Sequence, residues 1–250
     1  MKILEAALAP LPVADLLAHY QDGNCLKLEG TPDKFTSLVT LSDIERQLNN
    51  GANATTFAQV IEDGQRKILV DSNTAWTVAS LKKAEFMELI ENGSSFMLAN
   101  SSQVSRGLSA LCDDVEECFA DDKVHADVHL YVSMNSKGGS YNAHRDVPQH
   151  KILLQAVGDA HWQLFEPKEE LPTNVQSIEP SKQDELLKMV SEFTLKQGDL
   201  LYMPPGMFHR VTHVAGPRIS ISIPFYTMPE ATPMDRTYIP FAKMFTSPAE

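Results

Sequence analysis

Cysteine is scarce in this chain: Cys25, Cys112 and Cys118 are the only three in 250 residues. The odd count and irregular spacing exclude a disulfide framework and a zinc knuckle. A long hydrophobic run is also missing, so no segment is expected to span a membrane. The N-terminus carries Lys2, Glu5, Pro10, Pro12 and Asp15 without an uninterrupted apolar stretch. No secretory signal is therefore expected, and a cytoplasmic protein is the default. An excess of positive charge is absent too. Lys and Arg number 21 against 33 Asp and Glu, for a net charge of −12. That balance argues against a nucleic-acid or anionic-membrane partner held by a general basic face. A small basic pocket stays compatible with it. No internal repeat and no low-complexity tract is visible.

What is present is enough for a full core. The chain is 43% hydrophobic and 22% charged, as expected of one large domain or one domain with an appendage. A chain of this length buries roughly 70–75% of its unfolded surface without help from disulfides. Residues 1–122 read as a mixed, mostly helical extension packed on the rest of the chain. Val13 to Tyr20 has the pattern of a short amphipathic helix, and Leu26-Lys27-Leu28 of a strand. Ser42 and Glu45 have capping-box spacing, ahead of a helix ended by Asn50-Gly51. Two strand-like runs lie between Thr55 and Val70 around Glu62-Asp63-Gly64. Leu81 to Glu91 and Ser102 to Phe119 carry helical periodicity.

The character changes near residue 123. VHADVHLYVSM, HKILLQAV, HWQLFEP, DLLYMPP, HRVTHVA and RISISIPF read as short strands between Gly, Pro and Asn/Asp turns. Such density points to a mainly β fold, a barrel or jelly roll over 123–226. Residues 167–193, with DELLKMVSEF, read as a helical insert. Residues 227–250 read as a Pro-rich, loosely packed C-terminal arm, whose apolar residues leave a homodimer open.

The chemistry concentrates in two stretches. In GGSYNAHRDVPQHKILLQAVGDAHWQLFEP a Gly-rich turn leads to His144, and strand alternation would put His144 and Asp146 on one face. In GDLLYMPPGMFHRV the Pro204-Pro205-Gly206 bend re-aims the chain so that His209 points into the barrel mouth. Two imidazoles and one carboxylate suit non-haem Fe(II) bound on one face, with open positions opposite.

These stretches resemble the JmjC/cupin-like Fe(II)- and 2-oxoglutarate-dependent oxygenases, most nearly the ribosomal-oxygenase group. The shared pattern is the His-x-Asp, the hairpin from Leu153 through Gln155 and Gly158 to Trp162, and Gly-Asp-Leu-x-Tyr-x-Pro-Pro-Gly-x-x-His. The resemblance covers roughly 125–226. It implies a double-stranded β-helix and Fe(II) ligated by His144, Asp146 and His209. It also implies 2-oxoglutarate as cosubstrate, and hydroxylation of a C–H bond with release of succinate and CO₂. Many members of that family carry a Lys or Arg two residues before the hairpin Trp. Here Ala160 stands there, and an unpaired carboxylate in a barrel interior is costly. Two substitutes are visible. Arg218 with Ser220 shares one face of the last strand and ranks first, since the Arg fork suits a carboxylate. Lys151 ranks second, because strict alternation from Asp146 turns His150 inward, whereas alignment through Gln155 turns Lys151 inward. Tyr141 is a candidate hydroxyl partner.

Competing readings exist for the same residue types. His125, Asp127 and His129 form a second possible ligand triplet, without the hairpin behind it. His150, His161 and His213 read as satisfied or solvated rather than ligating, and Trp76 and Trp162 as core. The acidic pairs between Asp113 and Asp122 lack the spacing of a calcium loop. The chain ends shortly past the barrel, which shifts the expected substrate toward an amino acid, a peptide or a small natural product. A ribosomal-type protein hydroxylase and a non-catalytic cupin-fold binding or regulatory protein are the alternatives.

Overall fold

Strand β9 (His150–Val157) is buried along both of its faces, and the architecture is built around it. The computed structural model describes residues 2–50, 58–62, 64–71, 80–134, 141–214 and 216–239, without the side chains of 71, 213 and 214. Ahead of β9 come α1 (Ile3–Leu8), α2 (Val13–Asp22), β1 (Leu26–Leu28), α3 (Leu41–Asn49), β2 (Ala58–Glu62) and β3 (Gln65–Lys67). Next are β4 (Val70–Asp71), β5 (Ser80–Leu81), α4 (Lys83–Glu91), β6 (Ser95–Leu98), α5 (Arg106–Cys118), β7 (Val124–Ala126) and β8 (His129–Ser133). After β9 come β10 (Ala160–Pro167), α6 (Gln183–Leu186), β11 (Leu187–Leu195), β12 (Leu200–Met203), β13 (Phe208–Val214) and β14 (Arg218–Thr227).

Among the described residues, the larger antiparallel sheet runs β1-β12-β9-β14-β8-β6-β2-β3, with β7 also paired to β14. The smaller sheet runs β11-β10-β13, and β4 pairs β5. Side chains on successive residues of a strand point to opposite faces, and the sequence uses this. Ile152 and Leu154 on β9, with Ile219, Ile221 and Ile223 on β14, join Leu8, Leu16, Leu108 and Leu111 of the helices in one core cluster. From the other face, Leu153 and Leu201 meet Trp162, Leu164, Leu195 and Val211 of the smaller sheet in a second cluster. The larger sheet therefore lies between a helical layer and a second sheet. Each fully buried aliphatic side chain in these layers contributes roughly 1.5–3 kcal/mol, an upper figure because the unfolded chain is itself partly collapsed.

The mainly β jelly roll with helices at its N-terminal end is as expected. Details differ, each for a physical reason. Helix α3 is capped by Thr40 rather than Ser42: Thr40 Oγ1 accepts from Asp43 N (3.2 Å) and Asp43 Oδ2 accepts from Thr40 N (2.9 Å). Thr40 has the extended backbone a cap needs, whereas Ser42 already lies in the first turn. Residues 167–193 are not a helical insert. Only Gln183–Leu186 is α-helical, after a single 3-10 turn, and Leu187 onward is strand. The nine residues of β11 pair along β10 and complete the smaller sheet. That pairing outweighs a helical propensity worth a few tenths of a kcal/mol per residue. The larger sheet also crosses the expected 122/123 boundary, since β1 lies beside β12 and β6 beside β8. The C-terminal arm is pinned rather than loose as far as it is described. Arg236 reaches Asp113 Oδ1 at 2.9 Å and Glu116 Oε1 at 3.0 Å, and donates to the Ala126 carbonyl. Gly51, Asp63, Trp76, the glycines at 138–139 and the end of the arm lie outside the described residues.

Candidate metal and oxo-acid site

The two histidine-bearing stretches are joined through their main chains. His144 N donates to His209 O at 3.1 Å, and His209 N donates to His144 O at 2.8 Å. His209 sits on β13, but His144 forms an isolated bridge before β9 instead of lying within a strand. The Pro-Pro-Gly bend holds the other end of the same stretch. Gly206 takes φ +80°, a conformation that favours glycine, and its N–H donates to Asp146 O at 2.9 Å.

Both imidazoles are oriented by backbone carbonyls. His144 Nδ1 lies 2.8 Å from Asn142 O, and His209 Nδ1 lies 2.9 Å from Met207 O. A carbonyl only accepts, so Nδ1 carries the proton on each ring and Nε2 presents a lone pair. The two Nε2 atoms lie 4.0 Å (His144) and 3.5 Å (His209) from Asp146 Oδ2. Among the described residues this is the one His/Cys/Asp/Glu group with the spacing of a cation site, its donor atoms within 4.8 Å of one another.

The electrostatics agree. Burial pushes the His209 imidazole down to about 3, helped by His144 and Lys151 nearby. Burial also lowers His144. Burial alone would raise the Asp146 carboxyl, but Lys151 and the two imidazoles outweigh it and hold it at about 2. The set is therefore two neutral imidazoles and one carboxylate, the protonation state in which these groups ligate a metal. On donor type, tautomer and charge, the residues fit Fe(II).

Lys151 points inward and places Nζ 2.5 Å from Asp146 Oδ2. His150 turns to the helical layer, where its ring stacks on Phe225 and packs at a tilt against Tyr20, and its Nδ1 meets Tyr202 Oη at 2.9 Å. Of the two registers left open by the sequence, this is the one reached through Gln155.

A narrow cavity runs from the two imidazoles to Arg218, between the sheets. Ala160, on the hairpin, is buried and supplies only a methyl group to the interior. Arg218 is 2% exposed, and its Nε and Nη2 have no hydrogen-bond partner among the described residues. Burial draws the guanidinium down to about 10. Trp162 Nε1 and Ser222 Oγ line the same cavity and are also without partners. Ser220 is committed elsewhere, donating to Gln155 Oε1 at 2.7 Å. Tyr141 packs edge-on against His144, 5.4 Å between centroids. Buried donors without acceptors are uncommon, so a chamber lined with them fits a ligand rich in acceptor oxygens, as 2-oxoglutarate is.

A second, more open pocket of about 380 Å³ adjoins Asp146 and is bordered by His129, Tyr141, Gln149, Gln176 and Ser177. The sequence singled out His129 only as part of a rival triplet. The structure does not assemble that triplet: Asp127 accepts instead from Ser102 N and Val128 N. His161 is half-buried and meets Glu192 at 3.0 Å. Trp162, expected as core, stacks on His209 with centroids 5.8 Å apart and also faces the cavity. Ser222 was not singled out, although the i, i+2, i+4 alternation from Arg218 would have found it.

A JmjC domain profile matches residues 98–233, more than half of the chain. The chain belongs to the JmjC domain family. The bifunctional lysine-specific demethylase and histidyl-hydroxylase NO66 of Drosophila persimilis is 26% identical over 213 residues, covering 84% of this chain and 29% of that protein. This JmjC chain thus spans less than a third of that curated relative. Among solved structures, Escherichia coli ycfD superposes with a TM-score of 0.62 at 16% identity, covering 95% of this chain and 68% of that one. YcfD, a ribosomal oxygenase from Escherichia coli in complex with cobalt and 2-oxoglutarate, gives 0.61 at 15% identity, covering 96% and 68%. The likeness to the JmjC family and, within it, to ribosomal oxygenases stands as the sequence suggested. Among the described residues no helix is long and apolar enough to cross a membrane.

Proposed function

We propose that this JmjC chain is a 2-oxoglutarate-dependent protein hydroxylase. His144, Asp146 and His209 hold Fe(II), and a side chain of a protein substrate enters through the pocket beside Asp146. The single observation behind this reading is the placement of the triad. His144 and His209 line a narrow donor-rich chamber, and His144 and Asp146 border an open pocket of about 380 Å³. One suits a small oxo acid, and the other suits a side chain presented from outside.

When bound, the iron and oxo acid supply oxidation of a C–H bond by O₂. The chain supplies the rest. Asn142 and Met207 carbonyls fix the ring tautomers, and such outer partners typically affect metal affinity or activity by about 10–100-fold. Leu153, Trp162 and Val211 wall the chamber with apolar surface that limits water. His129, held neutral because burial pushes it down to about 4, faces the open pocket as a hydrogen-bonding partner without charge.

The small-molecule or free amino-acid substrate first expected gives way to a protein one. What supports the change is that the relatives are named as a histidyl-hydroxylase and a ribosomal oxygenase. The test supplies the chain with Fe(II) and 2-oxoglutarate and offers ribosomal proteins and free amino acids in parallel. Mass spectrometry should find one added oxygen on a protein. Oxygen gained only by free amino acids would overturn the reading.

A further inference from the structure

Resting on that reading, we infer that Arg218, with the indole N–H of Trp162 and the hydroxyl of Ser222, seats the far carboxylate of the oxo acid. The last strand of the larger sheet thereby replaces the hairpin as the source of the anchoring cation. This limits the cosubstrate to a 2-oxo dicarboxylic acid.

Three observations carry the assignment. First, the hairpin position holds Ala160, buried among Leu153, Trp162 and Leu164, and neighbouring Asp159 is occupied in accepting from Gln197 N at 2.9 Å. No cation stands there. Second, a buried guanidinium lacks an acid partner. Ion pairs are formed by Arg46 and Arg236, but none by Arg218 among the described residues. An unpaired buried charge is destabilising, so a chain that keeps one at the end of a cavity gains something other than stability from it. Third, the unpartnered groups share a polarity. Arg218 Nε and Nη2, Trp162 Nε1 and Ser222 Oγ can all donate, and all face one chamber. A carboxylate has about four lone-pair sites and accepts an Arg fork side-on. Ser220, whose proton goes to Gln155, is left out. Lys151 is engaged at Asp146, at the iron end of the chamber rather than the far end.

The test separates the two ends of the ligand. Mn(II)-loaded protein is titrated by calorimetry with 2-oxoglutarate and with 2-oxopentanoate, which keeps the oxo-acid head and chain length but lacks the far carboxylate. The parent should prefer 2-oxoglutarate. Arg218→Met should weaken 2-oxoglutarate binding by roughly 10–100-fold, the range of one charged hydrogen-bonded contact, and leave 2-oxopentanoate almost unchanged. Arg218→Lys, which keeps charge without the fork, should fall between. Trp162→Phe keeps the ring over His209 and should produce a smaller loss, again for 2-oxoglutarate alone. Lys151→Met should retain the preference.

Unchanged 2-oxoglutarate affinity in Arg218→Met, equal weakening of both acids, or loss of the preference only in Lys151→Met would each overturn the assignment while leaving the oxygenase reading intact. A parent that binds neither acid with Mn(II) present would overturn both.

Discussion

The two faces of β9 and β14 obey opposite rules. Toward the helices the pair presents Ile152, Leu154, Ile219, Ile221 and Ile223, all buried in one apolar cluster. Toward the smaller sheet the same strands present the apolar Leu153 and, around it, the polar Lys151, Gln155, Arg218, Ser220 and Ser222, all buried. The outer face is complete within the chain. The inner face is not, because Arg218 and Ser222 keep donors without acceptors among the described residues. One face stabilises the fold, and the other spends part of that stability on a chamber lined with unpaired donors among the described residues.

Substitutions on the two faces should therefore fail in different ways. The largest effect is expected at the metal. Asp146→Ala should remove Co(II) binding measured by calorimetry and also lower the melting temperature, because it leaves the buried Lys151 ammonium unpaired, whereas His125→Ala should keep the binding. Retained binding in Asp146→Ala would break the comparison at its root. Next comes the outer face. Ile221→Ala leaves a cavity in the helix-covered cluster and should lower the urea-unfolding free energy by about 2–5 kcal/mol while cation binding persists.

A smaller effect concerns pH. His150 is drawn down to about 4 by burial, from an unfolded value near 6.5. The unfolded chain takes up this proton first. The stabilisation is thus fully present above about pH 6.5 and is lost as pH falls toward about 4. Melting temperatures between pH 7 and 4.5 should fall less steeply for His150→Phe than for the parent. An identical slope would show that His150 contributes nothing to it. The smallest effect sharpens the contrast most. Arg218→Met should melt no lower than the parent, and higher by a gain on the order of 1 kcal/mol. A clear loss of stability would mean that the guanidinium serves the fold.

Much of the fold was legible because its signals are local. Helices α2, α4 and α5 arise from periodicity, and the strands from β-branched runs between turns. What misled was a segment whose state depends on a distant neighbour. DELLKMVSEF has helical letters, but its Leu187–Phe193 part becomes strand because β10 offers it a row of hydrogen-bond partners. The site divides likewise. His144, Asp146 and His209 were legible from two motifs, since each motif carries its own turn chemistry. Trp162 reads as packing, and it does pack on His209. That its N–H is left over could not be known without its surroundings. Ser220 reads as a ligand contact because alternation gives the face but not the partner, and Gln155 is the partner.

By itself, the order of residues settled the apolar alternation, the turn positions and the kinds of donor atom, because each depends on neighbours a few residues away. Only the tertiary structure decided that Lys151 rather than His150 faces inward, that Ser220 is occupied, and that Arg218 lines a cavity with no acid beside it among the described residues. Those facts depend on which groups from distant strands share one small volume, and a buried charge takes its meaning from whatever stands beside it.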